Sequence, residues 1–335
     1  MKSNSRFRWP LLAAAAALLA GATGCETTLD LPEPPHTPRV ALAYTLTTAP
    51  QDSSFLDLYR QRQLFISNSQ RVFDTTRLRG RPDATAELRD AAGNVVERYR
   101  PLRGNSAAGA NFTHAGYYRP VLGFRPVPGQ AYTLRARLPG LDPVESTLTL
   151  PRPAAVESAT YVPGTSTGGV GNVFRGRLSL TLRDDPATPN YYLAYVRALD
   201  QQGQPGKWSA VEVDAQGQER DAPIERFQLS EVSTSFRRDL PFADTGLNGQ
   251  LITLATDTYF TATNCFSGNC PQPGYLEVHL SSITAEDYNF YLSRRRYEQS
   301  DGSFFAEPAS LPSNVRGGYG LFGGATDVTY RIRIF

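Results

Sequence analysis

The sequence predicts a mainly β protein: two antiparallel β-sandwich domains, with one amphipathic helix near residues 284–298. Three observations predict it. Glycine and proline number 28 and 25 in 335 residues, which favours many turns over long helices. Tyrosine and phenylalanine, 17 each against one methionine, suit half-buried pleated surfaces. Finally, segment after segment alternates apolar and polar residues with period two, as a sheet with one wet face requires.

The chain opens on Lys2, Arg6 and Arg8, then an uncharged stretch to Ala20 and the small residues Gly21, Ala22, Thr23 and Gly24 before Cys25. That is the layout of a secretory leader, with an apolar run short for a membrane span. Small residues ending at a cysteine resemble a bacterial lipobox. Residues 1–24 therefore read as a lipoprotein signal peptide and Cys25 as the lipidated N-terminus. Its removal changes the charge. The formal +2 of the whole chain includes three basic and no acidic side chains in those 24 residues, so the rest carries about −1. No Lys/Arg block with interleaved aromatics follows, so nucleic acid is not an expected partner. Lys2 and Lys207 are the only lysines, and the abundance of arginine reads as coding bias rather than as a binding signature.

Residues 25–38 are acidic, proline-rich and aperiodic, a tether. A first domain is expected over 39–150. In "VALAYTLT" Val40, Leu42, Tyr44 and Leu46 alternate. "ATAELRD-AAGN-VVERY" is a hairpin around an Asp/Gly/Asn turn. "AYTLRARL" sets Tyr132, Leu134, Ala136 and Leu138 against Thr133, Arg135 and Arg137. "ESTLTLP" is another strand, and "PRPAA" (151–155) reads as a hinge. The second domain, 156–335, contains the strands "FRGRLSLTL", "NYYLAYVRAL", "QLITLAT", "YLEVHL" and "VTYRIRIF". Between the last two, Thr284 and Asp287 fit a capping box, and Ile283 with Tyr288 fits a hydrophobic staple. Tyr288, Tyr291 and Leu292 share a face, and Arg294, Arg295 and Arg296 form a solvated end favoured by the helix dipole.

Cys265 and Cys270 flank a Ser-Gly turn in "NCFSGNC"; outside the cytoplasm such a pair reads as a local disulfide. The histidines His36, His114 and His279 have no metal-site spacing to it. Other motifs fail on context. "GTSTG" places Ser166 in a hydrolase-like pattern, but no helix follows to form a nucleophile elbow. The nearest downstream base, His279, sits in a strand and is expected on its wet face. "GYGLFG" lacks the strand before and helix after that a dinucleotide site needs. Asp184, Asp185 and Pro186 read as a turn, and the "NFT" at Asn111 as a sequon by pattern only. No catalytic residue, cofactor or metal site is predicted.

The lipobox and "LDLP", the "AELRDAAGN" hairpin, "GQAYTLRARL", "DDPATPNYYLAYV", "ITAEDYNFYL" and "FAEPASLPSNVRGGYGLFGG", in that order, resemble the Bacteroidota lipoproteins grouped as domain of unknown function 4249. The resemblance implies a lipid-anchored outer-membrane protein encoded beside a TonB-dependent transporter, and an immunoglobulin/transthyretin-like N-terminal half. It brings no established activity. The expected function is a non-enzymatic accessory or ligand-capture partner of that transporter. A cell-surface hydrolase using Ser166 or an acid pair and an adhesive or structural envelope protein are the rivals. Asn314, Gly318, Tyr319 and Phe322 mark a candidate structural or docking turn. Burial under the 284–297 helix is the expectation for its aromatics, because the next strand must return directly into the sheet.

Overall fold

The computed structural model of the chain describes residues 34–48, 62–71, 74, 76, 78–102, 115–164, 173–206, 208–214, 229–232, 237–245, 247, 249–263, 271–300 and 310–334. Cys25, Asn111, His114, Ser166, Cys265 and Cys270 lie outside the described residues. The chain divides into two units, 1–36 with 71–75 and 37–70 with 76–335, and every described strand and the helix belong to the second.

In the first half of that second unit the alternating segments form β1 (Val40–Thr47), β2 (Leu64–Asn68), β3 (Thr85–Asp90), β4 (Val95–Pro101), β5 (Tyr117–Pro120), β6 (Ala131–Arg137) and β7 (Val144–Thr149). The β3–β4 turn closes as the sequence predicts, with Gly93 at positive φ and the Asn94 amide donating to Asp90 Oδ1 at 2.8 Å. The longer strands of the second half are β8 (Ala155–Pro163), β9 (Val173–Arg183) and β10 (Tyr191–Asp200). Four two-residue pieces follow: β11 (Glu212–Val213), β12 (Glu231–Val232), β13 (Arg237–Arg238) and β14 (Phe242–Ala243). Then come β15 (Leu251–Thr261), β16 (Pro273–Ile283), the helix α1 (Ala285–Ser300) and β17 (Tyr319–Arg333).

One eleven-stranded sheet runs β14-β10-β16-β17-β1-β2-β5-β4-β3-β6-β7; a second runs β11-β15-β9-β8, and β12-β13 form a ribbon. The second sheet and β10, β16 and β17 enclose a core that includes Leu178, Leu180, Tyr192, Phe260, Leu276 and Val278. The other core belongs to the first half: Val40, Leu64, Ile66, Leu88, Leu134 and Leu150, together with Val315 and Phe322 from the far end of the chain. A small third cluster joins Ile283, Tyr291 and Ala325, with Tyr288 packed against it.

The segment 151–155 thus separates two cores, but the sheet crosses between them on β17. Its first part pairs in parallel with β1, from Ala41↔Tyr319 to Thr47↔Ala325, and its second part antiparallel with β16, from Ile283↔Ala325 to Tyr275↔Arg333. Just before β17 the chain also bridges the opposite edge of the first half, Glu145↔Arg316, so β7 and the lead-in to β17 are tied together. Among the described residues all other ladders are antiparallel. The β1–β17 pair joins residues some 280 apart, the kind of contact no local pattern announces.

The helix starts where the capping box puts it. The Thr284 hydroxyl accepts from the Asp287 amide at 3.4 Å and donates to Asp287 Oδ2 at 3.1 Å. Tyr291 is buried, Tyr288 packs on Tyr191 with ring centroids 4.7 Å apart, and Arg295 and Arg296 are exposed.

Candidate functional site

Alternation along β16 places Leu276, Val278 and Leu280 in the second core and Glu277, His279 and Ser281 on the other face. That other face is not wet, as expected for His279, but covered: all three are buried, and nearly every residue of β16 is buried on both sides. The reason is position. β16 lies inside the large sheet between β10 and β17, and its neighbours supply charges that satisfy its polar row. Arg62 Nη1 donates to Asp327 Oδ2 at 2.8 Å and Nη2 to Ser281 Oγ at 2.8 Å, while Ser281 also donates to Asp327. His279 Nε2 lies 3.3 Å from Asp327 Oδ1 and its Nδ1 3.3 Å from Thr329 Oγ1. Glu277 accepts from Arg197 Nε at 2.8 Å and Arg331 Nε at 2.6 Å.

Serine, histidine and aspartate are therefore neighbours, but in the wrong order for catalysis. A nucleophile must give its proton to the imidazole; here Ser281 donates to the carboxylate, and the group is closed from solvent. Burial works against the Asp327 carboxylate, yet the Arg62 charge and the bonds from His279 and Ser281 hold it far below the usual range. Asp287 shows the opposite outcome. Burial pushes its carboxyl up to about 7, against hydrogen bonds from Thr284 and Thr45 and the charge of Arg62. The row is a buried electrostatic frame. Asp184 serves similarly, accepting from Tyr192 Oη at 3.2 Å, Gly249 N at 2.9 Å and Asn190 Nδ2 at 3.0 Å. Among the described residues no cluster of three or more His, Cys, Asp or Glu is placed to hold a metal ion.

A different surface is open. On the solvent side of β4-β3-β6 a concavity of about 680 Å³ is lined by Thr85, Glu87, Arg89, Arg98, Arg100, Arg135 and Arg137, among others. Register explains its shape. Glu87 on β3 lies between Arg98 of β4 and Arg135 of β6. One pair further along, Thr85 faces Arg137 of β6 and, continuing the Ala86↔Tyr99 ladder, Arg100 of β4. The short threonine is the floor, and the arginines are walls about 10 Å apart, two strand spacings. Glu87 closes one end through an ion pair with Arg89 at 2.6 Å. On the next strand Arg119 stands directly opposite Arg100.

The family model for the domain of unknown function DUF4249 matches residues 51–331. The chain belongs to this family. Among curated proteins no match is found.

In this DUF4249 protein the glycine-rich turn is architectural at most of its positions. Asn314 caps the backbone of Phe322 on both sides: its Nδ2 donates to Phe322 O at 2.8 Å, and its Oδ1 accepts from Phe322 N at 2.9 Å. A Cβ at Gly318 would lie 2.3 Å from Val40 O, and one at Gly320, where φ is +119°, only 1.7 Å from Leu42 O. The parallel β1 ladder needs that close approach. Phe322 is fully buried, but not beneath the helix: its ring stacks on Tyr44, centroids 5.8 Å apart, inside the first core. The parallel pairing with β1 carries it there. Tyr319 is half exposed, with the Arg39 guanidinium 6.0 Å from its ring centroid. The trough, by contrast, was hidden from sequence reasoning. Arg98, Arg100, Arg135 and Arg137 are legible as outward-facing, but only the strand order β4-β3-β6 brings them together.

Proposed function

We propose that this chain is a lipid-anchored outer-membrane protein, acylated at Cys25, that serves a TonB-dependent transporter as a non-enzymatic accessory or ligand-capture subunit. The trough on β4-β3-β6 carries the capture part of the reading. It is open, built on rigid strands and lined by charge that selects a ligand, which is the form of a binding surface rather than of a water-excluding reaction chamber. The buried serine–histidine–aspartate neighbours support the same side, since their hydrogen bonds run against nucleophile activation. The family model covers residues 51–331; the anchor is supported by the small residues that end at Cys25, and the transporter by the resemblance over most of the chain. A Cys265–Cys270 disulfide, pinning a loop tip, belongs to the same extracytoplasmic reading. Isolation of the tagged full-length chain from outer membranes in mild detergent is the test: a TonB-dependent transporter co-elutes if the reading holds, and the chain elutes without one if it fails.

A further inference from the structure

We propose that the trough binds a soluble multivalent oxyanion, a ligand bearing two or more phosphate or carboxylate groups, clamped between Arg100 and Arg137 over the Thr85 hydroxyl. The inference rests on the ligand-capture reading and names the class of ligand.

Like charges directly opposite on neighbouring strands destabilise a sheet, yet Arg100 and Arg119 are register partners. The cross-strand row Arg119, Arg100, Thr85, Arg137 contains three guanidinium groups and no carboxylate. A bound anion removes that repulsion.

Arginine is the default cation everywhere in this chain, so its presence alone carries nothing; its pairing does. On the outer face of β9, Arg175 pairs with Asp214, Arg177 with Asp257 at 3.2 Å and Arg183 with Glu157 at 2.6 Å. Around the trough, none of Arg98, Arg100, Arg119 and Arg137 forms an ion pair with any described residue. The outer face of β9 neutralises its arginines; around the trough Arg89 and Arg135 are paired with Glu87 and Glu145, and these four are left open.

A guanidinium presents a planar fork that matches phosphate and carboxylate oxygens in pairs, and the threonine hydroxyl donates from below. Glu87, held by Arg89, repels an anion from its own end of the groove and confines it to the Thr85 end. A membrane surface is the less suitable occupant. The lining is concave, and none of the large exposed apolar side chains, such as Leu122, Val162 or Leu251, belongs to it, whereas interfacial faces bury apolar area as well as charge.

The test is calorimetric titration of the full-length protein in detergent with tripolyphosphate and with citrate, beside sedimentation with phosphatidylglycerol vesicles. Saturable binding that weakens with salt is expected for the soluble anions. Arg100→Ala/Arg137→Ala should weaken it by roughly tenfold or more, and Arg100→Lys/Arg137→Lys by roughly threefold or more, because charge without the fork is a poorer match. Arg175→Ala/Arg183→Ala, which removes paired arginines elsewhere, should leave it unchanged. Equal binding by all these variants overturns the site, as does full binding by the lysine pair or binding confined to vesicles. Retained anion binding with no co-eluting transporter would remove the accessory reading alone. A co-eluting transporter with no anion binding would remove this inference alone.

Discussion

Phe322→Ala probes how the two cores are joined. The ring is fully buried in the first core, stacked on Tyr44, which packs edge-on against Tyr99 and accepts a hydrogen bond from its hydroxyl at 3.0 Å. Removing it forfeits roughly 150 Å² of buried apolar area, about 4 kcal/mol at 25 cal/mol per Å², in line with the ~3–5 kcal/mol of buried Phe→Ala changes. At about 2–3 kcal/mol per molar urea, the midpoint should fall by roughly 1–2 M. Trp208 is the one tryptophan after Trp9, and it packs on Phe174 and Phe260 in the second core, centroids 5.8 and 6.1 Å away. Because β17 carries Phe322 into one core and Ile332 into the other, the tryptophan fluorescence and far-UV circular dichroism transitions should shift together. A Trp208 transition that stays in place while dichroism moves would refute the coupling. A stable, folded Phe322→Ala protein that no longer co-purifies with the proposed transporter would instead make the turn a docking site.

Asp327→Asn should cost about 3–5 kcal/mol in urea denaturation, because it leaves Arg62 charged, buried and stripped of its counter-charge; an unchanged midpoint would contradict the role given to the pair. Asp287 gives a pH signature. Its folded pKa, about 7, lies above the unfolded value, so the folded state holds the extra proton and stability falls as pH rises from about 4 to about 7. Asp327 has the opposite sign, but its contribution is lost only in acid below that window. Thermal melts from pH 4 to 8 should therefore flatten in Asp287→Asn, and an unaltered slope would contradict the assignment. Cys25→Ala should move the protein from the salt-washed membrane fraction to the soluble one, since acyl chains supply durable anchoring; retention in membranes would overturn the anchor.

How legible was this in the sequence? Period-two alternation found the strands whose two faces differ. Tyr132, Leu134, Ala136 and Leu138 are buried, with Arg135 and Arg137 out. The capping box placed the start of α1. What alternation misses is a strand buried on both sides: it sent His279 to a wet face that is covered. The nearly unbroken apolar run of β10, "YYLAYV", was the available signal that the centre of the sheet is buried on both faces. Long-range pairing was out of reach as well. The glycines at 318 and 320 read as freeing the backbone of the turn, and the structure adds that they let it approach the β1 backbone. The trough required both register and strand order, so its arginines looked like composition until the sheet assembled them.

The account is tested most directly by quantitative mass spectrometry of proteins co-isolated with the tagged chain from native outer membranes in mild detergent. It predicts one TonB-dependent transporter in near-stoichiometric ratio to the chain, retained in the Arg175→Ala/Arg183→Ala control. A chain that elutes alone, or with an enzyme complex and no transporter, contradicts it.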